Sequence, residues 1–508
     1  MSGTIAAAPR AAGINLSWPV IIGLLGLMLP LLAPSATMID PDTFMHIAAG
    51  QWMLEHGALP SRDPFSGTLP GAAWVQQQWL SELVLAIVYR LAGWGGLVLL
   101  TTACFGLALA LLARRLLLHA EPFTVLIMVL LTGGIETQHL LIRPHMLGLP
   151  ILVTWAGMLI AARDAEKPPP FLALPLMILW PNLHGAFVYG LGLAFFFAAE
   201  AVLCAGDPPS RRLVLRQWGL FAGLAVLAAM LTPSGPAGVL NPFRVVALPT
   251  NAATFVEWLP PDLRQDHALV TWILGAMALA FGLGLKLPPM RLILLLGLFY
   301  ETFQSARHVE LLCLVAPLAV AAALGPQLAA RIRGGEASAL ARWMDRRVQP
   351  SSWPGLSLAA LLVAALGIGT ALRPPQPIDP AVYPVAAIAA ARDLHLTGQV
   401  LNEERFGGYL MYAGIPTFID GRSDMYGDAF LARWAQAALG NRPVLTGLLD
   451  EYHIGWTLFP PDQGAVPVLD TMPGWRRAYG DSTAVIHVRT GSAVPVGPAE
   501  DAGGDRPQ

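Results

Sequence analysis

Charged residues are scarce in this chain. Only 13% of its 508 residues are Asp, Glu, Lys or Arg, whereas 55% are hydrophobic, and the mean hydropathy is +0.56. This composition excludes an ordinary water-soluble enzyme and indicates a chain that lies mostly in lipid. The net charge of -2 leaves no basic surface for a nucleic acid. The sequence therefore predicts a multi-pass membrane protein with no nucleic-acid partner.

Cysteines and common catalytic signatures are also few or missing. The three cysteines, Cys104, Cys204 and Cys313, lie inside apolar runs, so no disulfide framework is indicated. The sequence has no Walker loop, no Cys-x-x-Cys pair, no His-Glu-x-x-His and no Gly-x-Ser-x-Gly. The chemistry must therefore be sought in charged side chains near the ends of the apolar runs.

Long apolar runs predict a mainly α fold, a polytopic membrane bundle of about eleven transmembrane helices. The runs lie at residues 18–38, 94–113, 121–136, 146–162, 170–181, 185–205, 217–233, 268–285, 290–303, 309–330 and 353–372. The first run is too long for a signal-peptide core and lacks a clear cleavage site, so we expect a retained helix.

Basic residues predict the orientation of this bundle. If the N-terminus is cytoplasmic, every basic cluster falls on the cytoplasmic side, as the positive-inside rule requires. These clusters are Arg114 and Arg115, Arg163 and Lys167, Arg211 to Arg216, Lys286 and Arg291, and residues 331–347. The same register makes residues 79–90 a surface helix within a long outer loop, residues 39–93.

The composition changes after residue 372, where a Pro-rich linker begins. Residues 373–491 read as a soluble, extracytoplasmic α/β domain, and residues 492–508 as a disordered tail. Helices are predicted at 385–396 and 428–438, and strands at 399–402, 417–420, 456–459 and 484–488. The predicted domains are thus the membrane bundle of residues 1–372, the α/β domain and the tail.

Polar motifs gather on the predicted outer side of the bundle. Ionisable groups kept at helix ends in a membrane are costly and mark a substrate path or reaction site. The candidate residues are Asp40, Asp42, His46, Asp63, Arg143, His145, His184, Glu257, Arg307 and His308.

The acidic motif Asp40-Pro41-Asp42 allows more than one role. One carboxylate could deprotonate an acceptor hydroxyl, or both could hold a divalent cation together with His46. The alternative is a structural one, with Asp42 as the N-cap of a helix over residues 43–55.

The basic motifs allow two interpretations as well. Arg143 or Arg307 could bind a phosphate through the guanidinium fork, or pair with nearby carboxylates. His184 could be a ligand or a hydrogen-bonded core histidine. In the soluble part, Arg422 is expected to pair with Asp420 or Asp424, although the loop could also face the membrane cavity.

The bundle and these motifs resemble the GT-C superfamily, multi-spanning glycosyltransferases that use polyprenyl-phosphate sugar donors. A largely uncharacterised bacterial group of that superfamily is similar in its finer motifs. The motifs are Asp40-x-Asp42-x-x-x-His46, Gly57-x-x-Pro60-x-x-Asp63-Pro64-Phe65-Ser66, Trp79-Leu80-Ser81-Glu82, Gly407-Gly408-Tyr409-Leu410 and Asp420-Gly421-Arg422.

The resemblance implies a hexosyl-transferring enzyme of the bacterial cytoplasmic membrane. Its donor would be a polyprenyl-phosphate sugar, its acceptor would lie at the outer face, and its catalytic acidic residue would be Asp42 or Asp40. The other candidate residues would bind substrate, and the only cofactor considered is a divalent cation at Asp40, Asp42 and His46. The chain departs from better-known members at Gln77-Gln78-Trp79, where they have a His-Pro-Pro start.

Three other functions remain open at this point. A glycan polymerase or ligase acting on a lipid-diphosphate oligosaccharide would also place arginines and histidines at the outer face. A transporter or flippase would be expected to show half-helices and repeat symmetry, which the sequence lacks. A non-catalytic scaffold would tolerate alanine at both Asp40 and Asp42.

Overall fold

The computed structural model describes residues 14–247, 258–332, 339–372 and 382–490. The chain divides into two compact units, one from Met1–Ser61 and Ala73–Pro377, the other from Arg62–Ala72 and Ile378–Gln508. The predicted linker at 373–380, the predicted tail at 492–508 and the candidate Glu257 lie outside the described residues.

The first unit is a helical bundle, and each of the eleven predicted apolar runs contains a helix. Its helices are α1 (Trp18–Met28), α2 (Asp42–His56), α3 (Trp79–Leu116), α4 (Pro122–Glu136), α5 (His145–Asp164), α6 (Leu174–Leu183), α7 (Phe187–Cys204), α8 (Pro208–Ala229), α9 (Pro236–Val246), α10 (His267–Gly282), α11 (Pro289–Gln304), α12 (Val309–Ile332), α13 (Ala339–Arg346) and α14 (Trp353–Leu372). The mainly α fold class is confirmed. Helices α9 and α13 were not predicted.

Length and apolar composition make the chain a multi-pass membrane protein. Among the described residues, six helices are long and apolar enough to cross a membrane, namely α3, α5, α7, α8, α12 with its preceding turn, and α14. Shorter apolar helices occur at Trp18–Leu32, Phe171–Leu183 and His267–Gly282. The count of eleven crossings stays a prediction.

Two prolines shorten the first predicted helix. The α-helix ends at Met28, and the rest of the run forms two 3-10 turns that begin at Pro30 and Pro34. Proline has no N–H to donate to the preceding turn and its ring crowds that turn, so it often kinks or ends an α-helix, as it does here. The single helix predicted over residues 18–38 is therefore wrong beyond Met28.

Helix α3 is interrupted where the sequence predicts a boundary. Gly93 has a φ of 57° and a ψ of -151°, a conformation that suits glycine and breaks the helix. The break separates the predicted surface helix of residues 79–90 from the predicted span of residues 94–113.

Glycines let α1 and α2 pack directly on α3. A Cβ on Gly106 would lie 2.3 Å from the carbonyl oxygen of Gly23, and one on Gly50 would lie 2.1 Å from the carbonyl oxygen of Glu82. Small residues at such crossings allow backbones to approach closely in membrane bundles. Helix α3 therefore fixes the position of α2, whose first residue is Asp42.

The second unit is built on a four-stranded mixed sheet in the order β1-β2-β4-β3. The strands are β1 (Gln399–Asn402), β2 (Ile454–Phe459), β3 (Trp475–Gly480) and β4 (Val485–Arg489). Strand β1 pairs parallel with β2, and β4 pairs antiparallel with β2 and β3. The helices are α15 (Val385–Asp393), α16 (Glu404–Tyr412), α17 (Ser423–Tyr426), α18 (Asp428–Ala438), α19 (Arg442–Glu451) and α20 (Ala465–Asp470).

The predicted α/β character of this part is confirmed, with one element wrong and others missed. Residues 417–420 form no strand; Thr417 instead makes an isolated parallel bridge with Ser66. Strand β3 and helices α16, α17, α19 and α20 were not predicted.

A segment of the predicted outer loop completes the second unit. The backbone N–H of Gly67 donates to the carbonyl of Thr417 at 2.8 Å, and the N–H of Thr417 donates to the carbonyl of Phe65 at 3.1 Å. The hydroxyl of Thr68 also donates to the carbonyl of Phe418 at 2.8 Å. Residues 62–72 thus fold with residues 378–508 although they precede them by more than 300 positions.

Candidate active site at the polar end of the bundle

One arginine binds both carboxylates of the acidic motif. Nε of Arg143 lies 2.6 Å from Oδ2 of Asp40, and Nη2 of Arg143 contacts Oδ2 of Asp42. Two hydrogen bonds join the segment that carries the aspartates to the segment that carries Arg143. The N–H of Ile142 donates to the carbonyl of Thr37, and the Thr43 hydroxyl donates to the carbonyl of Ile142, both at 3.0 Å. The arginine is therefore positioned before any substrate binds.

The two aspartates have different surroundings. Asp40 is only 4% exposed, and its Oδ1 accepts the backbone N–H of Asp42 at 2.8 Å. The capping role predicted for Asp42 is wrong, because α2 begins at Asp42 with Pro41 as N-cap and without a side-chain cap. The Asp42 side chain is 20% exposed. Asp42 is thus the more exposed of the two carboxylates.

His46 lies one turn further along α2 and is tied to α3. Its Nδ1 lies 3.1 Å from Oε1 of Glu82, and Nε2 of Gln76 donates to Oε2 of Glu82 at 2.6 Å. All three side chains are buried. The contact of His46 with Glu82 therefore joins α2 to α3 one turn after Asp42, and Glu82 is a buried structural carboxylate.

The residues proposed for a divalent cation do not assemble into a metal site. Within residues 14–247, 258–332, 339–372 and 382–490, no three His, Cys, Asp or Glu side chains come together in a way that would hold a metal ion. A guanidinium lies between Asp40 and Asp42, and His46 is bonded to Glu82. The positive partner of the two carboxylates in this structure is therefore Arg143.

His145 and His184 lie next to one another at the same end of the bundle. His145 is the first residue of α5, and its ring centroid is 6.0 Å from that of His184. Nε2 of His145 lies 3.2 Å from Oε1 of Glu310. Nδ1 of His184 accepts the N–H of Ala186 at 3.2 Å, so this histidine also shapes the turn between α6 and α7.

Arg307 and His308 contribute a third polar segment, between α11 and α12. Nε2 of His308 makes a short hydrogen bond with the hydroxyl of Tyr189, and its Nδ1 donates to the carbonyl of Glu301 at 2.8 Å. The guanidinium of Arg307 lies over the ring of Trp258, 4.6 Å from the centroid. This stacking holds a cation close to the other polar residues.

Asp63 belongs to the second unit and pairs with Arg422. Nη1 of Arg422 donates to Oδ1 of Asp63 at 2.6 Å, and its Nη2 donates to Oδ2 of Asp420 at 2.7 Å. Burial alone would raise the pKa of Asp420, but the charge and hydrogen bonds of Arg422 outweigh it and hold that pKa below its usual value. The expected structural pairing of Arg422 is with Asp420. A substrate role for Asp63 stays a prediction.

Sequence reasoning missed several polar residues at this end of the bundle. Glu136 is the last residue of α4, Glu310 lies in the first turn of α12, and Glu301 and Tyr189 bond His308. The available signal was an isolated charge at the edge of an apolar run, at residues 121–136 and 309–330.

We call this group of side chains the polar end of the bundle. It consists of Asp40, Asp42, His46, Glu82, Glu136, Arg143, His145, His184, Tyr189, Glu301, Arg307, His308 and Glu310. It contains an accessible carboxylate beside a guanidinium, together with histidines that can donate or accept protons. Such a group can bind an anion and take a proton from a hydroxyl.

Solved structures share the architecture of this chain. An apo structure of the oligosaccharyltransferase of Archaeoglobus fulgidus superposes with a TM-score of 0.54 at 13% identity, covering 87% of this chain and 69% of that one. Its complex with zinc and sulfate gives 0.50 at 10% identity, covering 87% and 67%. ArnT of Cupriavidus metallidurans bound to undecaprenyl phosphate gives 0.45 at 15% identity, covering 94% and 99%. No protein-family model and no curated protein matches the sequence.

Proposed function

We propose that this chain, whose fold is that of the GT-C superfamily, is a glycosyltransferase that moves a sugar from a polyprenyl-phosphate donor to an acceptor hydroxyl. The observation that carries the proposal is the accessible Asp42 carboxylate paired with Arg143 at the polar end of the bundle. A donor of this kind needs a base for the acceptor and positive charge for the departing phosphate. The pair supplies both.

Asp42 is the base in this reaction, and Asp40 is its buried support. Of the two carboxylates that match the catalytic acidic position, only Asp42 has a side chain that is substantially exposed. Asp40 fixes the start of α2 through the N–H of Asp42 and anchors Arg143. A donor phosphate competes with Asp42 for Arg143 and thereby frees the carboxylate to accept the proton of the hydroxyl.

The phosphate binds where positive charge and helix N–H groups meet. Arg143 lies two residues before the first residue of α5, a 20-residue helix whose N-terminus carries a partial positive charge. Arg307 supplies a second cation nearby in the polar end. His145, His184 and His308 complete this substrate-binding set, whereas the buried His46 supports the start of α2 through Glu82.

The reaction takes place at the outer face of the bacterial cytoplasmic membrane. A cytoplasmic N-terminus puts basic residues such as Arg114, Arg163 and Arg211 on the cytoplasmic side, as the positive-inside rule requires, and puts the acidic motif on the outer side. The same orientation makes the second unit extracytoplasmic.

The test uses the full chain in nanodiscs with membranes that contain the native acceptor and radiolabelled polyprenyl-phosphate sugars. Asp42→Asn keeps the size of the side chain but removes the base, and we expect transfer to fall by about 10²- to 10⁴-fold. The matched control is Asp262→Asn, because Asp262 pairs with Arg264 at an exposed position. We expect that control to transfer at the wild-type rate.

Each outcome of this assay decides between functions. Full activity of Asp42→Asn places the base elsewhere, and no consumption of any monophosphate donor by the wild type overturns the proposal. Transfer only from a lipid-diphosphate oligosaccharide supports the polymerase or ligase alternative. Movement of lipid between leaflets without glycosidic product supports the flippase alternative.

A further inference from the structure

A second group of titratable side chains lies beside the Asp42 and Arg143 pair. His145 follows Arg143 by two residues, and its Nε2 lies 3.2 Å from Oε1 of Glu310 and 3.4 Å from the carbonyl oxygen of His139. The side chains of His145 and Glu310 are 14% and 18% exposed. Within this short segment Arg143 contacts Asp40 and Asp42, whereas His145 contacts Glu310.

Helices α4 and α12 bring a third carboxyl group to this place. The Thr132 hydroxyl on α4 donates to the carbonyl of Cys313 on α12 at 3.1 Å. Thr132 lies one turn before Glu136, and Cys313 lies one turn after Glu310. The two glutamates are consequently at the same level of an antiparallel helix pair, close enough for their charges to act on each other.

Glu136 lies in the interior of the bundle. Glu136 is 2% exposed, and its Oε1 has no hydrogen-bond partner among the residues that the structure describes. A second unpaired negative charge beside Glu310 in the bundle would be costly. Glu310 is instead in contact with His145, and Arg307 lies close enough for its charge to act on Glu310. Of the two glutamates, Glu310 is therefore the one that holds His145.

We propose that His145 is the general acid for the departing phosphate and that Glu310 is the residue that positions it. This inference rests on the glycosyltransferase function proposed above and deepens it. Glu310 accepts Nε2–H of His145 and so orients the ring, which leaves Nδ1–H for a ligand. The helix N-terminus and Arg143 place the phosphate next to this histidine.

The proton balance of the transfer is complete with these groups. The acceptor oxygen attacks the anomeric carbon, and the bond from that carbon to the phosphate oxygen breaks. The acceptor proton passes to the carboxylate of Asp42, and Nδ1–H of His145 passes to the phosphate oxygen that leaves. The products are the glycoside and a polyprenyl monophosphate, and solvent returns the proton from Asp42 to His145.

The experiment compares two donors in the full chain in nanodiscs. One is the polyprenyl-phosphate sugar, and the other carries fluorine on the lipid carbon next to the phosphate, which makes the leaving phosphate less basic. We expect His145→Gln to lower kcat on the first donor by about 10²- to 10⁴-fold with little change in the donor KM. The loss on the fluorinated donor should be at least about tenfold smaller, since that phosphate leaves with less help from an acid.

The positioning residue is tested in the same way. We expect Glu310→Gln to lower kcat by about 10- to 100-fold with the same dependence on the donor, and Glu310→Asp to recover part of the loss because it keeps the charge. Asp262→Asn is the matched control. Thermal unfolding in nanodiscs identifies a variant that fails to fold. If Glu310→Gln does not fold, the kcat of Glu310→Asp on the two donors tests the positioning role.

The results separate this inference from the function on which it rests. Equal losses on both donors, or wild-type rates in His145→Gln, overturn the general acid while leaving the transferase in place. A wild-type chain that consumes neither donor overturns both.

Discussion

Removal of the Arg422 charge should unfold the second unit selectively. Arg422 is 4% exposed and bonds two carboxylates, Asp63 and Asp420, whose side chains are fully buried. Asp420 also accepts hydrogen bonds from Thr417 and Tyr426. Breaking a buried ion pair by removing one partner costs about 3–5 kcal/mol. Because Arg422→Met leaves two carboxylates without a cation, we expect the unfolding free energy of this unit to fall by at least about 3 kcal/mol.

Between about pH 5 and about pH 8 the stability of the variant should depend on pH, whereas the contribution of this pair in the wild type should not. Arg422 lowers the pKa of Asp420 below its ordinary value of 3.8, so the stability from this pair is present above that value and is lost only as the pH falls through the lowered pKa. The wild-type contribution is therefore constant from about pH 5 to about pH 8. Without Arg422, burial dominates and raises the pKa of Asp420. The variant should thus gain stability as the pH falls over the same window.

Native-state hydrogen exchange of the full chain in nanodiscs measures this effect locally. The amides of β1 and β2, for example Leu401 and Leu458, are fully buried and report opening of the sheet. The matched control is Arg433→Met, since Arg433 pairs with Glu451 at exposed positions and its loss should change exchange little. A decrease of less than about 1 kcal/mol for Arg422→Met, or no pH dependence, would refute the structural role of this network.

Two further changes test other contacts. Burial, and to a smaller extent Asp462, raises the pKa of Glu403 from 4.5 to about 7 against the opposing charge of Arg405. The free energy of unfolding should therefore be highest below pH 4.5 and should fall by up to about 3 kcal/mol as the pH rises through 7, because the buried carboxyl group must then ionise. Glu403→Gln should remove this dependence on pH, measured by the same exchange experiment at each pH. Gly50→Ala places a Cβ 2.1 Å from the carbonyl oxygen of Glu82 and should lower thermal stability by about 1–3 kcal/mol and reduce transfer, whereas Gly275→Ala, with no atom within 4 Å of its Cβ, should leave both unchanged.

Much of the fold follows from local sequence patterns. The length of an apolar run fixes where a membrane helix forms, and this explains why every predicted run contains a helix. Gly93 marks the kink of α3 because glycine reaches its backbone conformation without strain. The predicted bounds of β1 and α18 agree with the structure. These features depend on neighbours in the chain and can therefore be predicted from it.

The segment of residues 62–72 could not be placed from the sequence. Its composition of Gly, Pro, Asp and Ser indicates turns, and nothing local shows that it bonds Thr417 and Phe418, about 350 positions later. The same distance hides the partner of Asp63, which is Arg422. Residues 417–420 were predicted as a strand because Thr417, Phe418 and Ile419 are β-branched or aromatic, but in the structure this segment forms only the bridge of Thr417 to Ser66.

The histidines at the polar end show why the candidate site was only half predictable. His46, His145 and His308 were all identified from their positions next to apolar runs, yet each lies within 3.5 Å of a glutamate oxygen. The partners Glu82 and Glu310 are 36 and 165 residues away. A sequence shows which side chains can carry a proton. It does not show which carboxylate will contact and orient each imidazole, because that depends on how the helices pack. The chemistry of this site therefore depends on the contacts of α2 with α3 and of α5 with α12, and a variant that moves these helices should act on transfer as strongly as one that removes a histidine.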